Sequence, residues 1–144
     1  MIINSHGGND FKQILRELQP QFPEIFLCVI NWFRMPGIDK FFDEPGDHAG
    51  EMETSMLMEI APELVLPLRE AGNGREKKFK LKELQEGWIW AQREWTQISQ
   101  DTGVGNPEKA TMEKGKQFLE ELKVRIGNFL IQLDCIDNNE LYEK

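Results

Sequence analysis

Apolar residues along this chain fall into patterns that predict different elements. Ile25-Phe26-Leu27-Cys28-Val29-Ile30-Asn31-Trp32-Phe33 is an almost unbroken apolar run, as expected of a strand covered on both faces in a parallel sheet. Ahead of it, Phe11, Ile14, Leu15 and Leu18 share one face of a helix. Asn9 or Asp10 can cap that helix, and Pro20 and Pro23 end it. Met1-Ile2-Ile3-Asn4 is short for a strand, which usually needs about 5–6 residues, and reads as the last part of one. Strand, helix, strand in this order is a βαβ unit. The Ser5–Asn9 loop then lies at the carboxyl end of a strand, where open α/β sheets hold their ligands.

Residues 35–47 carry Pro36, Gly37, Pro45 and Gly46 and read as loop. A short helix is expected to begin near His48 or Ala49 and run through Met56, Leu57, Met58 and Ile60. Residues 61–87 are irregular, and Gly87-Trp88-Ile89-Trp90-Ala91-Gln92 fits either a short strand or an aromatic lid over a cleft. Asn106 is placed to cap the last helix, with Pro107 at its first position and Glu108 at its positive end. Phe118, Leu119, Leu122, Ile126, Phe129, Leu130 and Leu133 then recur at helical spacing, a core stripe laid on the sheet. Residues 1–135 are expected to form a single, incomplete domain, and residues 136–144 a frayed polar tail.

Composition narrows the classes. A length of 144 residues allows one domain with a real core but not two ordinary ones. The balance of 17 basic against 25 acidic residues gives −8, which argues against nucleic acid or a membrane as general partner. The locally basic stretch from Arg75 to Lys82 reads as a solvated loop. Cys28 and Cys135 match no zinc spacing and are expected to be buried thiols in a reducing compartment. No signal sequence is visible, and no apolar stretch reaches the roughly 18 residues of a membrane helix. The expected location is the cytoplasm.

The 2 histidines change the picture. His6 stands in Asn4-Ser5-His6-Gly7-Gly8-Asn9, where two glycines let the backbone turn tightly beneath the ring and leave room for a metal or substrate. His48 stands in Asp47-His48-Ala49-Gly50-Glu51-Met52-Glu53-Thr54-Ser55, four ionisable groups where a helix starts. At roughly 100° per residue, His48 and Glu51 share a face, while Glu53 points away unless Gly50 breaks the geometry. One carboxylate can ligate a metal while another, Asp47 or its neighbour, takes a proton from activated water. Both clusters are expected to meet at one cation pocket. Asp101-Thr102-Gly103-Val104-Gly105-Asn106-Pro107 lacks the ending of a phosphate loop and reads as a helix start. Trp88, Trp90 and Trp95 read as packing, or as closing a cleft.

These residues resemble the creatininase family of metal-dependent amidohydrolases. The resemblance rests on Asn4–Asn9 (family form Asn-Gly-His-Gly-Gly-Asn) and on Asp47–Ser55. It rests also on Gly103-Val104-Gly105-Asn106-Pro107 with Ala110-Thr111 and Lys114-Gly115. It implies a three-layer α/β/α sandwich with a two-metal site of zinc, manganese or iron that hydrolyses C–N bonds in cyclic or linear amides. It also implies His6 as a metal ligand and Glu53 as a second-metal ligand or a partner behind one, with Glu51 as the additional candidate. His48 is implied to assist proton transfer or to hold the tetrahedral intermediate, and Asp47 to act on the attacking water.

The departures are specific. Creatinine-hydrolysing members carry an aromatic and a carboxylate after the first histidine, where this chain has Gly7 and Gly8. Their tryptophan before the second motif falls near Glu44, which argues against creatinine itself as substrate. The family's upstream Glu-x-His pair and bridging Asp have no counterpart here. The expectation is therefore a C-terminal half of the domain, lacking its N-terminal strands and inactive by itself. The complete enzyme is expected to be a homo-oligomer acting on a small amide. The alternatives are a non-catalytic truncated or split-enzyme subunit that needs a partner chain for the missing half, and a small-molecule binding module built on the tryptophans.

Overall fold

The computed structural model describes residues 1–143, with Asn139 described by its backbone alone. Two compact units are distinguished: Met1–Ile38 with the stretch from Glu120 onward, and Asp39–Leu119. In the first unit, β1 (Ile2–Asn4) pairs in parallel with β2 (Val29–Asn31), in register Ile2 to Val29, Ile3 to Ile30 and Asn4 to Asn31. The connection holds α1 (Phe11–Leu18), so the expected βαβ unit is present. Asp10 is the cap, its carboxylate accepting the Lys12 N–H at 3.2 Å. Pro20 sits in the single tight turn Gln19–Gln21 that ends the helix.

The long apolar run yields a much shorter strand than its composition predicts. Gln19 is the reason. Its amide donates to the carbonyls of Phe22 and Ile25, at 3.1 and 2.6 Å, and accepts from the Leu27 N–H at 3.0 Å. The Ile25 carbonyl and the Leu27 N–H are thus taken by a side chain instead of a neighbouring strand, and pairing with β1 begins only at the Cys28 carbonyl, which accepts the Ile2 N–H at 2.9 Å. Trp32–Arg34 then closes into a tight turn. The strand residues are half-buried, not covered on both faces, and Ile25 is exposed.

The second unit holds α2 (Glu51–Ile60), the single turns α3 (Lys82–Gln85) and α4 (Trp95–Ile98), and the start of α5 (Met112–Cys135), which continues into the first unit. Its core gathers Phe42, Met52, Met56, Ile98, Val104, Ala110 and Phe118. Phe118 has no exposed surface and meets the rings of Phe41 and Phe42 edge-on at 5.4 and 5.1 Å. α2 and α5 approach so closely that a Cβ on Gly115 would overlap the Ser55 carbonyl. The Ser55 hydroxyl, itself buried, accepts the Thr111 N–H at 3.1 Å.

Several boundaries move. α2 starts at Glu51, later than expected, because Ala49 is left-handed (φ 51°) and cannot continue a helix. α5 starts at Met112, not at Pro107. Asn106 caps a separate turn, accepting the Glu108 N–H at 3.0 Å, while the Thr111 hydroxyl accepts the Lys114 N–H at 3.2 Å and caps the helix. The helical stripe is buried at Phe118 and Leu122 but exposed at Phe129 and Leu130. Residues 87–92 form no strand, and Trp88 and Trp90 are 69% and 81% exposed. Cys28 is half-buried and Cys135 exposed, so the expected pair of buried thiols is not found. Lys144, in the expected tail, lies outside the described residues. Among those residues, no helix is long and apolar enough to cross a membrane.

Two glycines of α5 test the close helix approach. Replacing an interior helical glycine by alanine ordinarily gains about 1 kcal/mol. Gly127→Ala, whose Cβ meets nothing within 4 Å, is expected to raise the melting temperature. Gly115→Ala is expected to lower it, because displacing the Ser55 backbone costs about 1–3 kcal/mol or more. Thermal unfolding of the two variants checks this opposition.

Candidate functional site

At the end of β1, the Asn4 side chain is buried and its Oδ1 accepts twice, from the His6 backbone N–H at 3.1 Å and from Asn9 Nδ2 at 3.2 Å. Its Nδ2 donates to Asn31 Oδ1 at 2.8 Å. The turn closes with the Asn9 N–H donating to the His6 carbonyl at 3.1 Å. The His6 ring lies over Gly8, where an added Cβ would stand 3.3 Å from Cε1, and Nδ1 accepts the Gly8 N–H at 3.2 Å. A side chain at position 8 would require the His6 ring to shift by a few tenths of an ångström.

In the second unit, residues 47–55 reach α2 through a break. His48 pairs with Val104 as an isolated antiparallel bridge, each N–H donating to the other's carbonyl at 2.8 Å. Ala49 then turns left-handed, and extended Gly50 precedes the helix. The crossing is tight, since a Cβ on Gly46 would stand 2.8 Å from Gly50 Cα and 3.1 Å from Gly105 Cα. This break redirects the side chains. Glu53, in the first turn, sends Oε2 back to accept the Ala49 N–H at 2.7 Å, a variant of the capping box. The same oxygen lies 3.7 Å from His48 Nδ1.

Glu51 does not face His48, as continuous helical geometry would have placed it. It has no exposed surface, Oε1 pairs with Lys114 Nζ, and Oε2 accepts the Glu44 N–H at 2.8 Å. The Glu51 hydrogen bond raises the Lys114 pKa above its ordinary 10.5, against a smaller lowering by desolvation, with the charges of Glu51 and Asp43 adding to the rise. Asp47 is paired as well. Arg93 Nη1 stands 2.5 Å from Asp47 Oδ2 and 3.4 Å from Glu76 Oε2. The same guanidinium lies over the Trp95 ring at 5.0 Å, and Trp95 meets the His48 ring edge-on at 5.4 Å.

His48 and Glu53 are thus brought together, with Asp47 held beside them through Arg93 and Trp95. Trp95, read from sequence as packing or cleft closure, packs on the candidate site. Arg93 and Lys114 carried no motif spacing that would mark them, although Lys114 lies in the third family segment. His6 belongs to the other unit. Zinc commonly takes four protein or water donors. Among the described residues, no group of three or more His, Cys, Asp or Glu side chains is placed to hold a metal ion. Nδ1 of His6 is already engaged with Gly8. The described donors therefore do not by themselves make up a cation site.

Comparison with known proteins shows the family and the fold. The family model for creatininase (creatinine amidohydrolase) matches residues 1–130. A crystal structure from Bacteroides fragilis NCTC 9343, assigned as a creatinine amidohydrolase, superposes with a TM-score of 0.88 at 38% identity, over 99% of this chain and 55% of that one. The mycofactocin precursor peptide peptidase of Mycobacterium ulcerans (strain Agy99) is 29% identical over 128 residues, 85% of this chain and 44% of its own length. The chain spans about half the length of these relatives. The shared fold is a creatininase-type α/β/α arrangement with few strands.

The Glu51–Lys114 pair makes a prediction with a definite sign. A raised lysine pKa stabilises the fold fully below its unfolded value near 10.5, and that stabilisation is lost as pH rises through the folded value. Lys114→Met is expected to melt several degrees below the parent near neutral pH, because it strands a buried carboxylate. The gap is expected to hold to about pH 10 and to narrow above it, which thermal melts across pH 7–12 would measure.

Proposed function

This chain belongs to the creatininase family, and we propose that it contributes to a metal-dependent amidohydrolase cleaving a C–N bond in a cyclic or linear amide in the cytoplasm. The observation that carries the reading is the approach of Glu53 to His48, within a segment the family match covers. His48 is the proton carrier. Glu53 Oε2 lies 3.7 Å from His48 Nδ1 and Trp95 packs edge-on against the His48 ring, an acidic and aromatic setting that supports general acid–base chemistry. Asp47 is the second proton-handling group, and Arg93 pairs with its carboxylate next to His48 in sequence.

His6 and Glu53 are the cation donors we assign, for zinc, manganese or iron. A bound cation would supply Lewis acidity to the amide. Glu51 is committed to Lys114 and Glu44, and we assign it to holding the start of α2. We assign the remaining donors, including those for the second metal of a pair, to residues outside these 144, on the same polypeptide or on a partner chain. The glycines after His6 in place of an aromatic and a carboxylate favour an amide other than creatinine.

The 144-residue chain assayed alone against amide substrates, with zinc, manganese or iron added, is expected to show no turnover above background. Turnover at an enzymatic rate would overturn the need for outside donors. In the active assembly, His48→Ala is expected to lower kcat by about 10²–10⁴-fold with metal content unchanged. His6→Ala and Glu53→Ala are expected to lose bound metal, read by elemental analysis. Full metal retention in both would remove them as ligands.

A further inference from the structure

We propose that Asn31, which lies in neither histidine motif, is a positioning residue for His6 and acts on it through Asn4. The inference rests on the reading of His6 as a cation donor.

The orientation of the Asn4 carboxamide is fixed chemically. A backbone N–H can only donate, so the group 3.1 Å from the His6 nitrogen is the oxygen of Asn4. The Asn4 amide nitrogen must then face Asn31, which has to present its own oxygen, as it does at 2.8 Å. Strand register brings the two together. Asn4 and Asn31 are directly paired at the carboxyl ends of adjacent parallel strands, so their side chains leave the same face of the sheet.

Asn4 is only 2% exposed, so water does not compensate a missing partner. An apolar residue at position 31 would strand the buried amide of Asn4. That carboxamide would then turn to find another acceptor and withdraw its oxygen from the turn. Both ends of the turn depend on that oxygen, because the His6 N–H and Asn9 Nδ2 converge on it. Between them lie Gly7 and Gly8, which offer little resistance to a swing of the backbone. Asn31 therefore sets the direction of the His6 ring from 25 positions away in sequence, through the Asn4 carboxamide.

The chain has only 2 histidines, so the ring ¹H–¹⁵N signals of His6 are assigned by the loss of one set in His6→Ala. His48 supplies the reference set. In the metal-free protein, Asn31→Leu is expected to shift the His6 signals, whereas Asn31→Asp, which keeps an acceptor facing Asn4, leaves them near their parent positions. Titration with Zn²⁺ is expected to show His6 binding weakened by about tenfold or more in Asn31→Leu and by less than about threefold in Asn31→Asp.

Should Asn31→Leu not fold, Asn31→Val, which keeps a strand-favouring side chain, is read in its place. A lowered melting temperature with His6 signals and zinc affinity at parent values would mean a merely structural asparagine, and would overturn the proposal. If Zn²⁺ leaves His6 of the parent chain unmoved, the donor reading of His6 is decided by the metal content of His6→Ala in the active assembly. The metal-free comparison still decides the role of Asn31.

Discussion

A carboxylate with none of its surface in water is tolerated only when a counter-charge and hydrogen bonds occupy its oxygens, and Glu51 obtains these from Lys114 and the Glu44 amide. That requirement organises the second unit. It ties the first turn of α2 to the first turn of α5 and to the loop that precedes the helix. Gly115, next to Lys114, lets the two helix backbones approach to the distance the ion pair demands. Phe118, one turn further along α5, then drops between Phe41 and Phe42. Charge neutralisation and close packing thus reinforce one another at neighbouring positions of one helix face.

The arrangement around His48 follows from where α2 is made to begin. With the helix start held at Glu51, residues 47–50 are left to bridge to Val104, and the chain does so through a left-handed alanine and an extended glycine. A non-glycine residue in that region costs about 1–2 kcal/mol. The Glu53 carboxylate offsets part of that cost by accepting the Ala49 N–H. The same turn rotates His48 away from Glu51 and towards Glu53. One carboxylate becomes structural and the other is left beside the imidazole, a division of labour set by backbone conformation and not by residue type.

Arg93 shows how a residue outside any motif enters such a site. Placed between Asp47 and Glu76 and stacked on Trp95, it pairs with two acidic groups and packs on the ring that meets His48. An arginine is suited to this because its planar guanidinium can pair in its own plane while offering a face to an aromatic ring. Asn31 plays a comparable part in the other unit, through hydrogen bonds instead of charge.

The amino-acid order by itself determined the βαβ start, a side-chain cap for α1 at Asn9 or Asp10, the family, and the candidate roles of His6 and His48. Local rules suffice for these: apolar spacing, side-chain capping and short motifs act over a few residues. It overstated the strand after α1, because nothing in an apolar run reveals that Gln19 will occupy its backbone groups. It placed the start of α5 early, because Asn106-Pro107 caps a turn as readily as a helix. Spacing also favoured Glu51 over Glu53 as the partner of His48. Only the tertiary structure decided that, since Lys114 lies 63 positions from Glu51 and claims its carboxylate when α2 and α5 pack. Burial and long-range pairing are properties of the folded chain, and they determined which acidic group is held inside and which one reaches the imidazole.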